Sequence, residues 1–159
     1  MFQRKLVSVL IMVMGSVGLA AARDLAIVSN KANSINKDTG MTLAELVKLS
    51  KGQTGRWPDG KPSTFVMRAP SVPAMKMFLE KVYEMPEAQV TELINTANHG
   101  RTNHPAILVV NSDEDLVNKV ASIPGAVGVV DVYAINSSVA VVKVAGKLPL
   151  EPGYVLHGN

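Results

Sequence analysis

Residues 57–82 read WPDGKPSTFVMRAPSVPAMKMFLEKV, and the chemistry runs in the order turn, strand, helix. Asp59-Gly60 and Pro62 mark the turn, since glycine accepts left-handed backbone and proline interrupts a regular ladder. Ser63 to Met67 is a short β-branched and apolar run, which predicts a strand ending just before Arg68. Ala69-Pro70-Ser71-Val72-Pro73 then leads into a helix. Its Met75, Phe78, Leu79 and Val82 recur at i, i+3, i+4 and i+7, one apolar face turned to a core. Arg68 therefore stands between a strand's carboxyl end and a helix's amino end. Unpaired N–H groups and about half a positive charge collect at such a helix start, and a guanidinium adds a full charge beside them. The corner suits an oxyanion. A solvated or salt-bridged arginine is the competing account, and the residues alone leave both open.

Upstream, Asp24 to Val28 predicts a first strand, followed by a polar loop from Ser29 and Asn30 to Asn33. Thr42-x-x-Glu45 is a capping box opening a helix with Leu43, Leu46 and Val47 inward, and Gly52 is placed to close it in the left-handed region. Downstream, Pro86 sits in the first turn of a helix that presents Val90, Leu93, Ile94 and Ala97 on one face. Ile107 to Val110 is a continuous apolar run, predicting a strand buried on both faces. Ser112 caps a helix over residues 113–122, and Pro124-Gly125 precedes a strand from Ala126 to Val130. Val139 to Val144 is the last strand, and the Pro- and Gly-containing residues 148–159 predict an irregular tail over the surface. Strands alternating with helices argue for an α/β sheet covered by helices. Ligands of open sheets of this kind bind beyond strand carboxyl ends, so Ser29 and Asn30 join Arg68 and Ser71 as candidate ligand contacts.

The amino terminus predicts export. Arg4 and Lys5 precede an apolar run from Leu6 to Leu19, and Ala20-Ala21-Ala22 offers the small residues a signal peptidase reads. The run of about 14–17 residues is short of the roughly 20 that a membrane span needs. Residues 1–22 are thus expected to be a cleaved signal peptide, residues 23–147 the α/β domain and residues 148–159 its tail. With no cysteine there is neither a disulfide nor a lipobox, so a periplasmic or secreted protein without a lipid anchor is expected. Loss of Arg4 and Lys5 takes the basic residues from 16 to 14 against 13 acidic ones, and a near-neutral chain with one Trp lacks the basic, aromatic surface of a nucleic-acid binder. The remaining stretch of about 137 residues suits one domain of ordinary size.

Four segments, in order, resemble the phosphate-type substrate-binding proteins of ABC importers, in particular short single-lobe relatives. They are AIVSNKANSI (26–35); Leu43-Ala44-Glu45-Leu46 with Lys51-Gly52-Gln53 and Trp57-Pro58-Asp59-Gly60; Arg68 with Phe78; and Ile123-Pro124-Gly125-Ala126-Val127-Gly128. The resemblance implies an α/β fold, a single three-layer lobe of the type 2 periplasmic-binding-protein fold with a mixed sheet and helices on both faces. It implies a phosphate-like small oxyanion as ligand, no cofactor, no enzymatic activity, and an ABC-transporter permease or an envelope protein as partner. The family's arginine falls on Arg68, whereas its Ser-Gly-Thr falls on Val72, Pro73 and Ala74, leaving Ser71 one residue early. Pro73 has no N–H to donate. In the full-length family the anion is enclosed between two lobes. A single lobe leaves it wet on one side, so weak binding is expected unless a homodimer or another partner supplies the second wall. The alternative is an interaction module of the cell envelope that keeps the fold without the ligand.

Other patterns are bland. His99, His104 and His157 have no helical i, i+4 spacing and no acid cluster with them, so no metal site is expected. Asp113-Glu114-Asp115 suits a helix amino terminus through the dipole. No G-x-S-x-G elbow, P-loop or dinucleotide fingerprint occurs. Trp57 reads most simply as a loop anchor packed on the domain, the alternative being an exposed tryptophan that meets a partner.

Overall fold

The computed structural model describes residues 23–35 and 38–158. The predicted signal peptide lies outside them. Five strands form one mixed sheet: β1 (Leu25–Ser29), β2 (Thr64–Arg68), β3 (Ile107–Val110), β4 (Ala126–Asp131) and β5 (Ala140–Val142), in the order β3-β2-β4-β1-β5. β2 is parallel to β3 and β4, and β1 is antiparallel to both its neighbours, β4 and β5.

The helices are α1 (Leu43–Ser50), α2 (Lys76–Phe78), α3 (Glu87–Asn98) and α4 (Asp113–Ser122). The capping box forms as the sequence predicts: Glu45 N donates to Thr42 Oγ1 at 3.1 Å and Thr42 N to Glu45 Oε2 at 2.9 Å. The continuous helix expected after Pro73 is instead a 3₁₀ turn (Pro73–Met75), the single α turn α2 and a π turn (Leu79–Tyr83) that ends at Glu84 with φ +51°. Its apolar face is nevertheless the predicted one, with Met75, Phe78, Leu79 and Val82 all buried. Tyr83 is carried inward too, where its hydroxyl donates to Ser50 O at 2.6 Å and its ring meets Phe78 edge-on.

Three layers result. One sheet face presents Ile27, Phe65, Met67, Val127 and Val129 to α1, the π turn and α3. The other presents Val28, Val66, Ala126 and Val130 to Leu116, Val117 and Val120 of α4. The period-two alternation of β1, β2 and β4 thus feeds two cores. Gly128 lies on the α4 side, where an added Cβ would stand 2.8 Å from Val120 Cγ2 and 2.9 Å from Leu116 Cδ2. Its missing side chain lets α4 approach the sheet.

Two expectations are corrected. β3 is an edge strand buried only in part on each face: Ile107 and Val110 enter the two cores, but Val109 is 39% exposed, because β3 pairs with β2 alone. The tail is irregular, yet it does not merely lie on the surface. Tyr154 and Leu156 are buried in the core, and Leu25 N donates to Leu156 O at 3.0 Å. Asp24 holds this tail: it accepts from Leu150 N at 2.8 Å and Gly158 N at 3.0 Å, and its Oδ1 lies 2.7 Å from His157 Nδ1.

Candidate functional site at the carboxyl edge of the parallel strands

β2, β3 and β4 run the same way, so Arg68, Val110 and Asp131 end on a common edge. Arg68 is the last residue of β2 and pairs in register with Val110. Beyond β2 the chain turns, Val72 N donating to Ala69 O at 3.0 Å, before the 3₁₀ start at Pro73. Beyond β3 it turns at Ser112, whose hydroxyl accepts from Asp115 N at 3.0 Å and opens α4. Adjacent parallel strands thereby bring the end of β2 against the amino terminus of α4.

Arg68 Nη1 lies 3.1 Å from Asp113 Oδ1, with side-chain exposures of 21% and 37%. Arg68 Nε is buried and has no hydrogen-bond partner among the described residues. The guanidinium is a planar fork with five N–H donors, of which this ion pair uses one. Ser71 is exposed in the turn three residues after Arg68, on the same edge. At the end of β4, Asp131 accepts from Tyr133 N at 2.9 Å and pairs with Arg23 at 3.7 Å, and the Arg23 guanidinium sits 5.0 Å over the Tyr133 ring.

Ser29 and Asn30 are elsewhere. β1 is antiparallel to β4, so the end of β1 falls beside the start of β4, with Ser29 paired to Val127. That is the edge where β2 begins, since Thr64 pairs with Ala126. Four residues of β2 separate it from Arg68, on the order of 13 Å at the usual strand rise. The antiparallel pairing of β1 puts the two strand ends expected to serve one ligand at opposite ends of β2. Asn30 is also fully engaged. Its Nδ2 donates to Val120 O and Ala121 O, both at 3.0 Å, and its Oδ1 accepts from Ala32 N at 2.9 Å. It braces the loop against the end of α4. Ser29 lines a separate cavity of about 330 Å³ with Lys31 and Val139–Lys143.

One residue carries more than its place in the sequence suggested. Asp113 is the counter-ion of Arg68 as well as a helix-start acid. The signal was present in outline: neighbouring parallel strands place their following loops side by side. Trp57 is the loop anchor expected, and its Nε1 donates to Gly125 O at 2.7 Å. That bond ties the Trp57-Pro58-Asp59-Gly60 turn to the Pro124-Gly125 turn. Gly125 has φ +87°, and an added Cβ there would collide with Pro62 O.

The edge is an α/β arrangement with charged side chains where parallel strands end and helices begin. Solved structures share the fold. An ABC-type phosphate transport receptor from Vibrio cholerae superposes with TM-score 0.67 at 22% identity, covering 87% of this chain and 55% of that one. PstS from Borrelia burgdorferi gives TM-score 0.63 at 16% identity, covering 87% and 56%. A phosphate-binding protein from Stenotrophomonas maltophilia gives 0.58 at 20%, covering 81% and 41%. The chain spans about half the length of these proteins. It has the fold of part of a phosphate-type periplasmic binding protein, as the resemblance implied. No family model matches the sequence, and no curated protein sequence matches it. Among the described residues, no helix is long and apolar enough to cross a membrane.

Proposed function

We propose that the chain is an exported solute-binding domain that holds phosphate or a similar small oxyanion weakly at the Arg68 corner. The observation that carries the reading is Arg68 itself, set where parallel strands end and retaining a buried Nε donor without a partner. Ser71, on the same edge, is the neighbouring hydroxyl. Ser29 and Asn30 have no part in that corner. Asp113 shapes the preference. A carboxylate beside the guanidinium repels a fully ionised anion but accepts a hydrogen bond from one that still carries a proton. Monohydrogen phosphate meets that condition at neutral pH, and sulfate does not. The anion remains open to water on one side, so binding is weak until a transporter permease, another envelope protein or a second copy covers it.

Calorimetric titration of the domain with phosphate and sulfate tests this. Phosphate is expected to bind in the millimolar range or tighter, sulfate less well, and Arg68→Ala to abolish the heat. No phosphate binding at all, or binding unchanged in Arg68→Ala, overturns it. The ion pair itself favours a second reading, a protein-interaction module that keeps the fold with Arg68 already neutralised by Asp113. A stoichiometric envelope partner retained by Arg68→Ala, together with absent anion binding, supports that reading.

A further inference from the structure

The opposite edge of the sheet carries a second basic feature. Before β2 the chain forms a small hairpin, with Arg56 and Pro62 bridged in antiparallel fashion and Ser63 N donating to Gly55 O at 2.9 Å. Before β3 it turns again after α3, where Arg101 N donates to Asn98 O at 3.0 Å. The two turns are held together by Thr64 Oγ1, which donates to Pro105 O at 3.2 Å. Between them lies an open cavity of about 420 Å³ whose charged and polar lining includes Arg56, Ser63, Arg101, Thr102, Asn103 and His104.

Among the described residues, no aspartate or glutamate lines this cavity. Neither Arg56 nor Arg101 has a carboxylate partner among the described residues. Arg56 is oriented by a neutral acceptor, its Nη1 donating to Gly60 O at 2.7 Å, which steadies the guanidinium without cancelling its charge. Two arginines lining one cavity, neither ion-paired with a carboxylate, create a positive potential that a surface normally dilutes with interspersed acids. Guanidinium forks match carboxylate and phosphate oxygens in pairs. The volume is in the range of roughly 300–1,000 Å³ typical of sites for small organic ligands, more than one inorganic phosphate needs.

We propose that this groove binds a small organic anion bearing two or more carboxylate or phosphate groups, with Arg56 and Arg101 as its charged contacts. It is independent of the Arg68 corner, which lies at the other end of β2.

Citrate and inorganic pyrophosphate, titrated calorimetrically into the full domain at low salt, are the probes. Either is expected to bind with a dissociation constant below about 10 mM, weakening steeply as salt rises because the site is exposed. Arg101→Gln is expected to weaken binding at least tenfold and Arg56→Gln similarly, while Arg68→Ala leaves it unchanged. Arg101 is exposed, so its variant keeps the fold, and an unchanged melting temperature verifies that. Tighter citrate than pyrophosphate assigns a carboxylate ligand, and the reverse a phosphate ester. The proposal fails if neither probe binds, if Arg101→Gln binds as wild type does, or if Arg68→Ala removes the same heat.

Discussion

Arg68 Nη1 and Asp113 Oδ1, 3.1 Å apart, join the last residue of β2 to the first residue of α4. The pair sits at the edge where the parallel strands end. Asp113 is also a helix-start acid, so it satisfies both the dipole and the arginine.

Asp113→Asn separates these roles. The amide keeps the shape, removes the negative charge, and leaves Arg68 uncompensated. Sulfate affinity is expected to rise and the preference for phosphate to shrink, as read by calorimetry. The cost in stability is expected to be about 1 kcal/mol, since a part-exposed pair and a helix-start charge are each modest. Urea unfolding measures it.

Asp24 gives the fold a dependence on acid. Burial opposes its ionised form, but hydrogen bonds from the Leu150 and Gly158 amides and from His157 outweigh that and hold its carboxyl below the usual value of 3.8. A carboxylate with a depressed folded pKa contributes stability that is fully present above its unfolded value and lost as pH falls through the folded one. Stability is therefore expected to decline below about pH 4. Asp24→Asn is expected to cost about 2 kcal/mol at pH 7, with the difference from wild type narrowing in acid. Urea unfolding at pH 7 and pH 3 checks both statements.

Leu156 tests whether the tail belongs to the core. It is completely buried although it lies in an irregular segment. Leu156→Ala is expected to cost about 2–5 kcal/mol, the range for a leucine deleted from a packed interior. A surface tail gives a change within about 0.5 kcal/mol.

Gly128→Ala tests the approach of α4. The new methyl meets Val120 and Leu116 side chains and lies 3.2 Å from Val66 O. Overpacking of this kind is expected to cost about 1–3 kcal/mol by thermal or urea unfolding. An unchanged midpoint means that α4 shifts without penalty.

Much of the architecture was legible because it rests on local chemistry. Thr42 and Glu45 are three residues apart, so their capping box needs no distant partner. Ser112 and the three acids after it announce α4 for the same reason. The apolar face of Met75, Phe78, Leu79 and Val82 held even though the backbone carrying it became 3₁₀, α and π turns in succession. Burial follows side-chain spacing more closely than it follows hydrogen-bond type.

Of the four candidate contacts, only Arg68 and Ser71 fall on one edge, where the parallel strands end. Whether Ser29 and Asn30 share a ligand with them depends on the direction of β1, and an isolated strand carries no mark of its neighbours' direction. β1 is antiparallel, so those residues fall at the far end, with Asn30 spent on the carbonyls of Val120 and Ala121. The tail was misplaced for a similar reason: Asp24 and His157 are distant in sequence, and nothing local announces that they meet.

The sequence by itself determined the succession of strands and helices, their caps and their inward faces, since those depend on contacts within a few residues. Only the tertiary structure decided that Asp113 pairs with Arg68, that Ser29 and Asn30 stand apart, and that Arg56 and Arg101 line one cavity. Each of these depends on which strands pair and in which direction. That choice is settled by burying both sheet faces at once, a property of the whole chain and of no single segment.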